Sequence, residues 1–170
     1  MTSKERVLQR EHDRGHPIGK VKGRADALDL AARAPQMDGT AIIAEEDKVP
    51  AWSENAAYTS AQVGYPVQDR GQVYTIIMPH TPAHNPGSRP ADLRAIYGLL
   101  HTTDPARAKP WMASYGTSGL YRLNECCTYP NADGVTHIFR NLWDNNEFPP
   151  LTLNVENRWE DLGEAALYGL

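Results

Sequence analysis

A 170-residue chain with a formal net charge of −4 lacks the clustered Lys and Arg that displace counterions from phosphate, so no nucleic-acid partner is expected. No apolar run approaches the roughly 20 residues of a membrane span. The first residues lack the apolar core of a signal peptide, which predicts synthesis in a cytoplasm without export or membrane insertion.

The 13 Gly and 13 Pro favour short strands and turns over helices. Residues 2–20 are highly charged and are interrupted by Gly15, Pro17 and Gly19, which predicts an arm that orders only against a partner. Residues 24–34 are good helix formers without Gly or Pro. They predict a short helix with Leu28, Ala31 and Ala32 on one face and Leu30 beside it, closed by Pro35 and Gly39. Such a helix either caps a β core or serves as a docking or oligomerisation element, its stripe being too short for a coiled coil. Thr40-Ala41-Ile42-Ile43-Ala44 reads as a brief strand. Glu45-Glu46-Asp47 reads as a solvated turn, because calcium would need oxygen ligands at alternating positions around a Gly.

Beyond it, Val63, Val67, Val73, Ile76 and Ile77 supply strand residues, and Asp69-Arg70-Gly71 marks a hairpin turn. Residues 78–90 hold four prolines and cannot be a central strand. His80 and His84 are four apart, with His101 downstream. Histidines at that spacing face one another only on a helix, which Pro79 and Pro82 prevent, so the imidazoles are expected to pin loops by hydrogen bonds and no metal is expected. Residues 102–110 read as a polar connector, short enough to keep its flanking units touching. Asn131-Ala132-Asp133-Gly134 marks a second hairpin turn, followed by alternation of Val135, His137 and Phe139 with Thr136, Ile138 and Arg140. Cys126 and Cys127 are neighbours, point to opposite faces of a strand, and are expected to remain a reduced, partly buried pair. The tail, residues 164–170, reads as a helical turn or a docking segment.

Aromatic residues recur with nearly equal gaps: Trp52, Tyr58, Tyr74 and Tyr97 in one stretch, then Tyr115, Tyr121, Phe139 and Trp159 in another. Spacing of this kind points to an internal repeat, in which Cys126 takes the slot of Val63. Ala51-Trp52, Tyr58, Val63, Gly71-Gln72-Val73-Tyr74, Pro86-Gly87 and Tyr97, then Tyr121, Cys126, Phe139, Trp143, Pro149-Pro150 and Arg158-Trp159, follow a known order. It resembles that of the small chitin- and cellulose-binding modules of carbohydrate-binding families 5 and 12. Residues 39–163 also resemble bacteriophage tail-associated and other virion proteins that carry such modules in tandem.

The resemblance implies a mainly β fold of two small tandem antiparallel modules with an N-terminal arm and short helix. The expected division is an anchor at 1–38, a first module at 39–103 and a second at 104–170. It implies a strand bearing Ile96 and Tyr97, where Asp92 alone would suggest a capped turn. It also places Trp143 at the family's exposed sugar-stacking Trp, with Asp144, Asn145 and Asn146 beside it to bond hydroxyls. In the first module that slot is Met78. The other repeated aromatics are expected to build the folds, while Trp143 suits either a ligand platform or a buried interface.

No Gly-x-Ser-x-Gly elbow, His-Glu-x-x-His or phosphate loop is present, and Glu54, Glu125 and Glu147 are scattered. The expectation is a non-enzymatic, cofactor-free virion protein at a phage tail, baseplate, fibre or capsid surface. Residues 1–38 would grip other virion proteins in a homo-oligomer, a trimer suiting a fibre, and the modules would meet a host cell-surface polysaccharide. The alternative is a purely structural decoration or connector protein without a glycan ligand.

Overall fold

The computed structural model describes residues 17–84, 87, 89–153 and 157–170. Helix α1, Pro17–Arg33, opens on a proline, whose missing N–H costs nothing in a first helical turn. The predicted arm is therefore helical from residue 17, and its remainder lies outside the described residues. Leu30, Ala31 and Ala34 are buried, whereas Leu28 is exposed, so the buried stripe is rotated from the expected one.

Helix α2, Gly39–Ala44, replaces the strand expected there. Asp38 caps it, its carboxylate accepting from the Ala41 N–H at 2.8 Å. A helix also lets the adjacent Ile42 and Ile43 both face inward, where a strand would send them to opposite sides. They pack with Leu30, Ala34, Val49 and Val73 in one cluster, so the two helices cap the first sheet. Glu45-Glu46-Asp47 is less solvated than expected. Glu45 pairs with Arg33 at 2.8 Å and Lys48 at 2.7 Å, and Glu46 pairs with Lys109.

The fold is small and mainly β, with two sheets. Strands β1 (Pro66–Asp69), β2 (Gln72–Ile76) and β3 (Tyr97–Leu99) form the first, all antiparallel. Strands β4 (Lys109–Pro110), β5 (Cys126–Pro130), β6 (Thr136–Asn141) and β7 (Trp159–Glu164) form the second. Both predicted hairpin turns are present. Arg70 and Gly71 have φ of 50° and 77°, the doubly left-handed geometry of a two-residue type I′ loop. Asn131 Oδ1 caps the second turn by accepting from the Asp133 and Val135 N–H groups. The expected connector contributes the edge strand β4, which pairs in parallel with β5, and the tail makes a 3-10 turn at Ala165–Tyr168.

The repeat is visible in the hydrogen bonds. Trp52 N–H donates to Gln68 O on β1, and Trp111 N–H to Thr128 O on β5. Gln68 pairs with Val73 as Thr128 pairs with Ile138, and Ile76 pairs with Tyr97 as Asn141 pairs with Trp159. Tyr58 exchanges backbone bonds with His80, and Tyr121 with Asn146. The Tyr58 hydroxyl accepts from the Ser53 N–H, and the Tyr121 hydroxyl from the Met112 N–H.

The counterpart of Trp52 is thus Trp111, not Tyr115. Residues 113–118 add a small loop closed by a Tyr115–Ser118 bridge, which lengthens the gap before Tyr121 and leaves Tyr115 exposed. The counterpart of Cys126 is Pro66, not Val63, which is 42% exposed after a 3-10 turn. Both cysteines are buried and free, Cys126 packing with Ala108 and Ile138, and Cys127 with Tyr121, Phe139 and Trp159. They face opposite sides of β5, and burial raises both thiols, that of Cys126 to about 11.

The two units meet through backbone and side-chain contacts. Cys126 N–H donates to Thr102 O at 2.7 Å, Gln72 Nε2 to Pro110 O at 2.7 Å, and His101 stacks on Tyr121 with centroids 3.6 Å apart.

Candidate functional site

The loop after β6 carries Trp143. Its register is fixed by Leu142 N–H donating to Arg158 O, as Ile77 N–H donates to Ile96 O after β2. Met78 and Trp143 therefore occupy equivalent positions. Both are displayed, at 52% and 42% exposure.

Asn141 builds this loop from beneath. Its buried amide donates to Tyr121 O at 3.1 Å, to Arg122 O at 2.7 Å and to Trp143 O, while its Oδ1 accepts from Asn146 Nδ2 at 2.8 Å. Asn146 is fully buried, and its own Oδ1 accepts from the Phe148 N–H at 3.1 Å. Of the four residues expected to meet a sugar, Trp143, Asp144 and Asn145 are thus on the surface. Asn146 is spent on the loop and has no freedom to bond a hydroxyl. Asn145 adopts φ of 57°, a conformation that Asn tolerates better than most residues.

The sequence gives no sign of Arg158 as a neighbour of Trp143, or of Phe148 as a second ring against the same guanidinium. The Arg158 guanidinium lies 5.0 Å from the ring centroids of both Trp143 and Phe148, and its Nε is buried without a hydrogen-bond partner. Beside it opens a cavity of about 190 Å³ lined by Phe139, Phe148, Pro149, Thr152, Arg158 and Trp159 among others. Trp159 Nε1 donates to Phe148 O at 2.9 Å and fixes that wall.

A second, more polar cavity of about 330 Å³ lies between the units, lined by Asp38, His101, Arg122, Glu125 and Asn145 among others. Burial lowers His101 to about 4, opposed by its bond to Gly119 O, so it is neutral and its Nε2–H donates to that carbonyl at 2.9 Å. Burial raises the Glu125 carboxyl, opposed by the Arg122 N–H it accepts from.

His80 bonds Met78 O at 2.8 Å and the Tyr97 hydroxyl, so His80 and His101 both pin loops as expected. Among the described residues no three His, Cys, Asp or Glu side chains gather as a metal site, and no helix is long and apolar enough to cross a membrane. The predicted fold-building aromatics Tyr58, Tyr74, Tyr97, Tyr121, Phe139 and Trp159 are buried, and Trp52 is half-buried. No protein-family model and no curated protein matches this chain.

Proposed function

We propose that this chain is a non-enzymatic structural protein of a bacteriophage virion whose second unit attaches the particle to a host-surface polysaccharide through Trp143, Asp144 and Asn145. The observation that carries the reading is the displayed indole of Trp143, held in place by the buried Asn141–Asn146 pair. Protein aromatics stack on the apolar faces of sugar rings, and neighbouring polar groups bond the hydroxyls. Keeping a large aromatic at the surface on a loop so fully hydrogen-bonded suits a preorganised binding face.

Gly23, Arg24 and Ala25 of α1 are exposed ahead of the core residue Leu30, which suits the anchoring role given to residues 1–38. Small units of this kind gain stability by packing on copies of themselves or on neighbours in a particle. A second reading, decoration or connection without a glycan, draws support from Met78: the equivalent position of the first unit has no ring to stack.

The test is sedimentation of purified protein with host cell walls, chitin and cellulose, comparing wild type with Trp143→Ala. The proposal expects retention by wild type that the variant loses. No retention by folded wild type would favour the purely structural role.

A further inference from the structure

We propose that Arg158 makes the Trp143 face selective for acidic polysaccharides, its guanidinium binding a carboxylate or phosphate of the repeating unit beside the cavity under Phe148. This rests on the glycan-binding reading above and specifies its ligand class.

Three observations converge. First, the charge of Arg158 lies over the two aromatic rings, 5.0 Å from each centroid. Among the described residues it has no ion pair or side-chain hydrogen bond, whereas the half-buried Lys48, Arg89, Lys109 and Arg140 pair with Glu45, Asp69, Glu46 and Glu160, and the half-buried Arg94 donates to the carbonyls of Ala91 and Ala113. Ring faces attract a cation electrostatically but accept none of its in-plane N–H bonds.

Second, Nε is shut off from water with no acceptor. A donor left in that state is costly, and an anionic oxygen delivered by a ligand would relieve the cost if the side chain adjusts to meet it. Third, the adjoining cavity of about 190 Å³ has an apolar floor of Phe139, Pro149 and Trp159 with Thr152 and Asn157 at its wall. That is below the roughly 300–1,000 Å³ that encloses a drug-sized ligand. It suits a single sugar ring or substituent of a chain that continues over Trp143.

The first unit supplies the contrast. Ile96 stands where Arg158 does, and Met78 where Trp143 does, so at these two positions the first unit has neither the ring nor the cation.

The experiment measures binding of the full chain to four polymers: chitin and cellulose as neutral glycans, hyaluronan as a carboxylate-bearing one, and a poly(glycerol phosphate) teichoic acid as a phosphate-bearing one. Wild type is expected to bind at least one acidic polymer about 10-fold or more tighter than either neutral one. Arg158→Gln should lose about 10- to 100-fold of that affinity, the range of a charge-assisted hydrogen bond, so that the preference for acidic over neutral polymers disappears. Arg158→Lys should retain part of the preference, and the wild-type preference should shrink with added salt.

The two acidic polymers decide between carboxylate and phosphate as the source of the anion. Equal binding of neutral and acidic polymers with loss only in Trp143→Ala would overturn this inference and leave glycan attachment standing. Binding of none of the four, or of host walls, would overturn both. Salt dependence of the wild type carries the test independently should Arg158→Gln fold poorly.

Discussion

Replacing Asn141 with Ala tests how the Trp143 loop is held. The Asn141 side chain is fully buried, and its Nδ2 has three carbonyls within reach while its Oδ1 accepts from Asn146. Two hydrogens serve those three carbonyls, so the substitution removes about three well-formed bonds at roughly 1 kcal/mol net each. It also leaves the Asn146 amide and at least one carbonyl buried without partners, at about 1 kcal/mol or more. The expected loss is about 3–5 kcal/mol. For a domain of this size that corresponds to a fall in Tm of about 6–20 °C. Urea unfolding followed by far-ultraviolet circular dichroism measures it. Asn146→Ala alone should cost less, and the double variant should fall short of the summed single losses by about 1 kcal/mol, because both remove the same Asn141–Asn146 bond. An Asn141→Ala loss under about 1 kcal/mol, or strict additivity with Asn146→Ala, would refute the network as the support of the loop.

Acid sensitivity should trace to His101. Burial lowers its folded pKa to about 4, below the ordinary value near 6.5. Its stabilising contribution is complete above about pH 6.5 and lost as pH falls toward 4, on the order of 3 kcal/mol in total. Urea titrations between pH 7 and 4 should show that slope in wild type and a flatter one in His101→Gln. Gly39→Ala should cost about 1–3 kcal/mol, since a Cβ there meets His101 O at 2.3 Å. Thermal melts would detect it, and a neutral outcome would mean that α2 does not sit against the 101 backbone. Arg70→Asn should raise stability by about 0.5 kcal/mol, since Arg70 holds φ of 50° in a loop that favours Asn-Gly. Neither cysteine should react with a thiol reagent in the folded protein, burial having raised both thiols. Labelling should appear only on unfolding.

The parts of the fold written in local chemistry were legible in the sequence. The hairpins at Arg70-Gly71 and around Gly134 need left-handed backbone, and Gly, Asn and Asp announce that need. The recurrence of Tyr58, Tyr74 and Tyr97 as Tyr121, Phe139 and Trp159 was legible too, because each unit uses these rings to fill the same register positions.

Less legible was whatever tertiary contact decides. Ile42 and Ile43 are β-branched and read as strand, yet a cap from Asp38 and a shared core with Leu30 make them helical. Trp111 was hidden as the partner of Trp52 because the Tyr115 loop alters its spacing. The second unit retains a trace of that divergence. Trp52 Nε1 donates to the Tyr97 hydroxyl at 2.8 Å, but the counterpart of Tyr97 is Trp159, which offers no acceptor, and Trp111 Nε1 is left unpartnered. At the candidate site, Trp143 was marked by its slot in the pattern. Nothing in the spacing separated the exposed Asn145 from the buried Asn146, or brought Arg158 to the indole, since that neighbour comes from another stretch of chain.

The most direct test of Trp143 as the polysaccharide platform is acrylamide quenching of tryptophan emission, with and without saturating host-wall polysaccharide. Trp143 is the most exposed of the four indoles, Trp52 and Trp111 being half-buried and Trp159 buried. Its share of the emission should be readily quenched in the free protein, become protected when polysaccharide binds, and be missing from Trp143→Ala. Bound protein whose Trp143 emission stays as quenchable as in the free state would contradict the account.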